Sequence, residues 1–343
     1  MKKNYLFILL IIAMGVLNAC GSSSPQTAAD FYKGKTITFI VTYDPGGGYD
    51  AMARSLAPYL EKYTGASVLV KNVPGGGGIL GTNTVYASKP DGLTMALLPG
   101  GAVVSSQLLN SEGIAKVEGI EYDLQKFTYL GRVSGGPQVI FTGSDNEELK
   151  TAEDLMNYSG ELVSAQPGKY EDVSLNLMVV KNALNIPAEL VFGYKGMAAV
   201  ELAVMSGEVD MAAGTAQDRL PKVKTGDLRP LLLVGGAYSE MADVPQAVDL
   251  AEGKNKELIQ ALDTLLLAGR PVVAPPEVPE DKRQFLEDAL KQSLEDPQLQ
   301  EEWKKLSWVS SWATGSEYQE VVNTIFNEMP EDIFEIWKKE LAE

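Results

Sequence analysis

The chain alternates between short apolar runs and longer amphipathic segments, and glycine-rich loops separate them. Residues 37–43 form a β-branched and aromatic run that predicts a buried strand, and residues 67–71 and 93–98 repeat this pattern. Glycines follow each run, and apolar residues at helical spacing come next. Three repeats of strand, glycine loop and helix predict a parallel α/β sheet with ligand-facing loops at the carboxyl ends of its strands.

The same alternation recurs later in the chain and predicts a second lobe. Two strand-like runs within 127–142 are interrupted by Ser-Gly-Gly-Pro, which we interpret as the crossing between lobes. A chain of 343 residues also exceeds the roughly 250–300 residues at which a single core stops growing. We therefore predict an α/β fold of two doubly wound lobes joined by crossing strands. The predicted boundaries are 34–135 and 238–343 for lobe 1, and 136–237 for lobe 2.

The first residues have the pattern of an export signal. Lys2 and Lys3 precede an apolar run at 5–16, which is too short for the roughly 20 residues of a membrane-spanning helix. The run ends in Leu-Asn-Ala-Cys, and this segment resembles the lipobox of bacterial lipoproteins. We predict a signal peptide at 1–19, a tether at 20–33 and a lipid anchor on Cys20 that holds the protein at the membrane outside the cytoplasm. The alternative is a plain signal peptide with an incidental cysteine.

Composition removes most classes of enzyme. The chain has 29 Lys+Arg against 46 Asp+Glu, a formal net charge of −17, one Cys and no His. Without histidine, Ser-His-Asp and Cys-His catalysis and imidazole zinc sites are impossible. The acidic charge disfavours nucleic acid as a partner. We expect no metal and no cofactor, and a carboxylate-pair hydrolase is the enzyme alternative that remains.

The glycine loops that follow the first strands allow three interpretations. Gly76, Gly78 and Gly81 match a dinucleotide-binding fingerprint in spacing, but no acidic residue follows about 20 positions later. Glycines also permit close packing of a helix on a strand. The third interpretation is anion capture, in which free N–H groups at a helix N-terminus donate to a carboxylate.

Several motifs, in order along the chain, resemble one known family. They are Tyr-x-Pro-Gly-Gly-x-x-Asp at 43–50, Val-x-Asn-x-Pro-Gly-x-Gly-Gly-x-x-Gly at 70–81, Pro-Asp-Gly-Leu-Thr at 90–94, Gly-Tyr-Lys-Gly at 193–196 and Gly-Asp-Leu-Arg-Pro-Leu at 226–231. These motifs resemble the substrate-binding proteins of tripartite tricarboxylate transporters. The resemblance implies a type II solute-binding fold that closes on a small di- or tricarboxylate. It also implies delivery to a membrane permease with one large and one small subunit, and we expect the receptor to be a monomer.

The resemblance implies a set of ligand-binding residues. Two loops of the first lobe are expected to hold one ligand carboxylate through backbone amides and water, and the second lobe is expected to supply the remaining contacts. The first loop contributes Tyr43, Pro45, Gly46, Gly47, Gly48 and Asp50; the second contributes Pro99, Gly100, Gly101 and Ala102; the second lobe contributes Gly168, Tyr170, Ser174, Tyr194, Lys195, Gly196 and Thr215.

Some of these residues have alternative roles. Lys195 could bind a ligand carboxylate or pair with a nearby acid, and Tyr43 and Tyr170 could contact the ligand or only form walls of the cleft. We predict that Asp50 caps the first helix and that Arg54 forms a structural ion pair.

The chain also departs from the family pattern. It has no His in the segment 168–174, and Leu265 to Leu267 stand where the family usually has Trp. The distal ligand contacts are therefore expected to differ from those of typical members. The sequence leaves the ligand unidentified, and it leaves open a role as a sensor module for a signalling receptor.

Overall fold

The computed structural model describes residues 27–342 and has a mixed α/β architecture. The residues of the predicted signal peptide at 1–19 and of the predicted lipid anchor at Cys20 therefore lie outside the described residues. Short β-branched runs form the strands, as expected from the tendency of Val, Ile and Thr to occupy pleated, half-buried surfaces. The strands are β1 (Thr36–Val41), β2 (Ser67–Asn72), β3 (Thr94–Leu97), β4 (Thr128–Ser134), β5 (Gln138–Gly143), β6 (Leu162–Gln166), β7 (Ala188–Phe192), β8 (Ala212–Thr215), β9 (Leu228–Val234) and β10 (Arg270–Ala274).

Helices separate most of these strands, and further helices follow the last one. The helix at Ala28–Tyr32 is capped by the Thr27 side chain. These residues belong to the predicted tether at 20–33, so regular structure begins earlier in the chain than expected. The helices are α1 (Ala28–Tyr32), α2 (Gly48–Thr64), α3 (Ile79–Tyr86), α4 (Gly100–Ser111), α5 (Ala152–Met156), α6 (Asp172–Leu184), α7 (Met197–Met205), α8 (Ala216–Thr225), α9 (Ala247–Leu250), α10 (Gly253–Leu266), α11 (Glu280–Glu295), α12 (Pro297–Lys305), α13 (Gly315–Glu328) and α14 (Glu331–Ala342).

The first lobe contains a five-stranded sheet in the order β2-β1-β3-β10-β4. Strand β1 pairs in parallel with β2 and β3, as the repeated strand–loop–helix pattern predicts. Strand β10 pairs antiparallel with both β3 and β4, so only part of this sheet is parallel. The parallel part directs the loops after β1 and β3 to the same edge of the sheet.

The second lobe combines an antiparallel sheet in the order β8-β5-β9 with a parallel pair of β6 and β7. An isolated bridge between Ser164 and Met211 links the two parts. Residues Phe141, Val139 and Leu233 have no more than 1% of their surface exposed, and they lie in a core cluster of this lobe. Both lobes therefore contain a sheet with its own buried strands.

The chain crosses between the lobes twice. It leaves the first sheet after Ser134 and enters the second at Gln138, and it returns between Val234 and Arg270. Helices from the C-terminal part also contact the second lobe: the Trp337 indole donates to the Leu175 carbonyl of α6 over 2.9 Å. The predicted lobe boundaries at 135 and 237 remain predictions.

Two glycines of the second predicted loop, Gly78 and Gly81, serve close packing. Gly76–Gly78 form one turn of 3₁₀ helix before α3, and a Cβ on Gly81 would lie 2.7 Å from Thr42 Cγ2 and 2.8 Å from the Val73 carbonyl oxygen. Only glycine lets α3 approach β1 this closely. Of the three interpretations of this loop, the structure therefore favours the packing role.

Candidate functional site

A cavity of about 380 Å³ lies between the two sheets. Its walls come from the loop after β1, the start of α4 and the crossing segment from the first lobe, and from the starts of α6, α7 and α8 in the second. The C-terminal end of α10 and the first residue of β10 complete the wall. A cleft of this volume between lobes is typical of sites for small ligands.

The loop between β1 and α2 contributes aromatic side chains to the cavity. Tyr43 and Tyr49 line it and lie against each other with ring centroids 5.0 Å apart. The remaining residues expected from this loop are not part of the wall. They are Pro45, Gly46, Gly47 and Gly48, all exposed, and Asp50, which is buried.

Asp50 holds this loop in place. Its carboxylate accepts hydrogen bonds from Gly46 N–H, Arg54 Nε and Asn72 Nδ2, at 2.9, 2.9 and 3.0 Å. The Arg54 hydrogen bond, together with these other donors, lowers the pKa of Asp50 to about 2. The residue at the N-cap of α2 is Gly47, so the prediction that Asp50 caps the helix was wrong in position. Asp50 instead sits in the first turn and reaches back to the loop, and the ion pair predicted for Arg54 is present.

The start of α4 forms another part of the wall. Pro99, Gly101 and Ala102 line the cavity, whereas Gly100 faces the crossing segment and donates its N–H to the Gly269 carbonyl over 2.8 Å. A Cβ on Gly101 would lie 2.4 Å from Asp172 Oδ2. The Asp172 carboxylate of the second lobe therefore reaches across to the helix start where a ligand carboxylate was expected.

The second lobe brings only some of the predicted residues to the cavity. Gly196 and Thr215 line it. Ser174 is fully buried and donates to the Gly168 carbonyl over 2.7 Å, and Tyr194 donates to Glu208 over 2.8 Å. The predicted residues outside the wall are Gly168, Tyr170, Ser174, Tyr194 and Lys195.

Two arginines line the cavity, and both have acidic partners. Arg270 pairs with Asp218 over 3.1 Å, and its guanidinium lies 5.0 Å from the centroid of the Tyr49 ring. Arg219 pairs with Glu201 over 2.7 Å. Neither arginine could be predicted from the sequence, since a lone arginine on a strand or helix carries no motif that indicates a position in a cleft.

Two acids at the start of α6 also line the cavity. Burial raises the pKa of Glu171 to about 7, with a further contribution from the neighbouring Asp172 carboxylate, and burial raises the pKa of Asp172 as well. Among the described residues, no salt bridge forms at either acid. The departure from the family pattern at 168–174 was the only sequence signal for them.

Amides beside these acids have unused hydrogen-bonding capacity. Gln138 Nε2 donates to Asp172 Oδ2 over 3.4 Å, and Asn176 Nδ2 donates to Gln138 Oε1 over 3.3 Å. Asn176 Oδ1 and Gln217 Nε2 have no partner within the described part of the chain, although both side chains are buried and line the cavity. Buried polar atoms are normally paired, so one free acceptor and one free donor are available to a ligand.

Two α/β lobes, two chain crossings and a cavity between them define the class of type II solute-binding proteins. The model of the tripartite tricarboxylate transporter family receptor matches residues 52–329, and the chain belongs to this family. A curated relative, the UPF0065 protein in the TAR-I ttuE-ttuC' intergenic region of Agrobacterium vitis, is 27% identical over 82% of this chain and 78% of its own length.

Solved structures share the fold. A TctC solute-binding protein from Polaromonas superposes with a TM-score of 0.67 at 18% identity, over 91% of this chain and 99% of that one. MatC from Rhodopseudomonas palustris, solved with bound malate, gives a TM-score of 0.63 at 18% identity, over 90% of this chain and 99% of that one. Within residues 27–342, no helix is long and apolar enough to cross a bilayer.

Proposed function

We propose that this protein is an extracytoplasmic receptor that binds a small organic acid of the di- or tricarboxylate class in the cavity between its lobes. The observation that carries the proposal is that cavity, where the Arg270 guanidinium and the Gln217 amide line the wall and offer donors to a ligand. The malate bound to a protein of the same fold supports the assignment of a carboxylate.

Backbone groups are proposed to contribute as well. Gly101 and Ala102 occupy the first turn of α4, where N–H groups lack partners within the helix and the helix dipole favours an anion. Hydrogen bonds to a charged group contribute about 1.5–3 kcal/mol each. Three or four such bonds are sufficient for a micromolar dissociation constant, about −8 kcal/mol.

Closure of the lobes is proposed to bury the ligand and to form the surface that the permease recognises. The return crossing, between Val234 and Arg270, contains two glycines in left-handed conformations, Gly235 with φ 96° and Gly269 with φ 39°. Such positions absorb changes in backbone angle at low cost. Hinge motion at the crossings would then couple binding to recognition by the permease.

We propose that a lipid on Cys20 attaches the receptor to the outer side of the membrane, following the signal peptide at 1–19. The receptor would act as a monomer and deliver its ligand to a permease with one large and one small subunit. A sensor that presents its closed form to a signalling receptor is the alternative partner. Binding to purified permease subunits in the presence of ligand distinguishes the two.

The hydrolase alternative requires two carboxyl groups on opposite sides of a scissile bond. The cavity is lined by three acids, Glu171, Asp172 and Asp218, so the presence of carboxyl groups does not dismiss it. Glu171 and Asp172 are consecutive at one end of α6, however, and approach a ligand from one side, and Asp218 is paired with Arg270. The family consists of transport receptors, and we therefore propose binding without turnover.

Isothermal titration calorimetry with mono-, di- and tricarboxylates tests the proposal. We expect one-to-one binding of at least one acid, and at least tenfold weaker binding by Arg270→Met, because a charged hydrogen bond is lost. Arg283→Met is the matched control, since Arg283 is also a partly buried, paired arginine, with Glu280 and Glu287 of α11 as partners, and it does not line the cavity. Flat titrations for every acid, or equal affinity in Arg270→Met, would contradict the proposal.

A further inference from the structure

One end of the cavity is lined by acceptors rather than donors. We call this the acceptor end and define it as Glu171, Asp172 and Asn176, all at the start of α6. The cations that line the cavity lie on other elements and are already paired, Arg270 with Asp218 and Arg219 with Glu201. The two acids of the acceptor end are therefore uncompensated by any salt bridge among the described residues.

The hydrogen bonds at this end fix the orientation of its amides. Gln138 presents Nε2 to Asp172 Oδ2, which accepts, and turns its Oε1 toward Asn176. Asn176 must then present Nδ2 to Gln138, which leaves its Oδ1 free. Asn176 is 1% exposed, and this oxygen has no partner in residues 27–342.

A free buried acceptor beside two carboxyl groups matches a donor-rich, positively charged group. A second carboxylate at this position would meet an acceptor oxygen and, where Glu171 and Asp172 are ionised, like charges, and none of these could donate to it. An ammonium group has three donors and no acceptor. The chemistry of the acceptor end therefore complements an ammonium group and opposes a second carboxylate.

We propose that the ligand is an amino-carboxylate whose ammonium group binds the acceptor end, with Asp172 and Asn176 Oδ1 as direct acceptors. This inference rests on the proposed binding function and narrows its substrate class. The ligand carboxylate would bind the donors elsewhere in the cavity, which are Arg270 and the free Gln217 Nε2. One buried acceptor and one buried donor that lack partners in the protein would then both be satisfied.

The position of Glu171 in the cavity should couple ligand binding to the release of a proton from this residue. Its pKa, raised to about 7 by burial and then by Asp172, would fall when an ammonium group binds nearby. The other titratable groups of the cavity are Tyr43 and Tyr49 from the first lobe, Arg270 on β10, and Asp218 and Arg219 on α8. The tyrosines have raised pKa values through burial and remain neutral, and the charged groups are paired. Binding of an amino-carboxylate should therefore release protons near pH 7, and affinity should rise with pH.

Calorimetry with pairs of compounds that differ by one amino group tests the inference. The pairs are glutamate and glutarate, aspartate and succinate, and γ-aminobutyrate and butyrate. We expect at least one amino compound to bind tenfold or more tightly than its partner. Titrations in buffers with different ionisation enthalpies should show proton release for that compound. The proton measurement uses the unaltered protein and does not depend on a variant's folding.

The variants Asp172→Asn and Glu171→Gln should reduce the preference for the amino compound at least tenfold. Glu189→Gln, at an exposed residue of β7, should leave it unchanged. Tighter binding of the plain carboxylates, or an amino preference that survives both substitutions, overturns this inference while leaving the proposed binding function intact. Absence of binding by every compound, including the plain acids, overturns both.

Discussion

A substitution at Gly100 tests how closely α4 packs against the crossing segment at 268–269. A Cβ at this position would lie 2.1 Å from the Ala268 carbonyl oxygen and 2.7 Å from the Gly269 oxygen. The first distance is about 1.3 Å short of ordinary contact, and both obstacles are backbone atoms that cannot rotate away. Gly100→Ala must therefore displace the helix start or the segment.

The expected cost combines two terms. Overpacking of this kind costs about 1–3 kcal/mol. Weakening of the hydrogen bond from Gly100 N–H to the Gly269 carbonyl adds about 1 kcal/mol. Together they lower the free energy of unfolding by about 2–4 kcal/mol. At about 2 °C per kcal/mol for a chain of this size, the melting temperature should fall by about 4–8 °C.

Denaturant unfolding and thermal melts followed by circular dichroism measure this effect. Gly48→Ala is the matched control, because Gly48 is also the first residue of its helix and a Cβ added there would have no neighbour within 4 Å. Alanine should be neutral or stabilising there. Equal melting temperatures for Gly100→Ala and the unaltered protein would refute the close approach of α4 to Ala268.

Three further outcomes are expected. Trp337→Phe should cost about 1 kcal/mol through the lost bond to the Leu175 carbonyl, and Trp337→Ala about 3–5 kcal/mol, both measured by denaturant unfolding. The pKa of Asp50 is lowered in the folded protein, mainly by Arg54, so the stabilisation by its charge is full above pH 4 and is lost as pH falls through about 2. The stability of Asp50→Asn should therefore approach that of the unaltered protein in acid, and a gap that persists at pH 2 would contradict this. Cys20→Ser should release the protein from membranes with unchanged ligand affinity, as fractionation and calorimetry would show; retention at the membrane argues against a lipid anchor.

Much of the fold could be predicted because local patterns determine it. Strand β9 at Leu228–Val234 coincides with an apolar run, and helix α6 at Asp172–Leu184 with a helical period, and both patterns can be recognised without reference to the rest of the chain. Strand β8 begins only at Ala212, within the apolar run at 209–213, and the apolar run that starts at Leu265 lies at the end of helix α10. Short apolar runs at these places fit either type of element.

The candidate site was less predictable because it depends on how the lobes meet. Tyr43, Gly101 and Thr215 were expected from motifs and do line the cavity. Arg270 enters it from a strand that carries no sequence signal for a cleft, and Asp172 from a segment whose only signal was its departure from the family pattern. Their positions follow from the packing of two sheets that are distant along the chain. Sequence motifs indicate the conformation of individual loops. Which charged side chains meet in a cleft between lobes depends on tertiary structure, and a motif does not contain that information.

The contact between α14 and α6 has a consequence for how the protein reaches its folded state. Trp337 and Leu175 are separated by 162 positions, and Asn255 donates to the Ala183 carbonyl of the same helix from 72 positions away. Contacts between residues so far apart along the chain form only after large loops have closed. The entropy cost of closing these loops precedes the stabilisation from the contacts, and this slows folding. Helix α6 therefore keeps an uncovered apolar side until remote segments arrive, and during that interval the emerging chain is exposed to aggregation and to holdase chaperones.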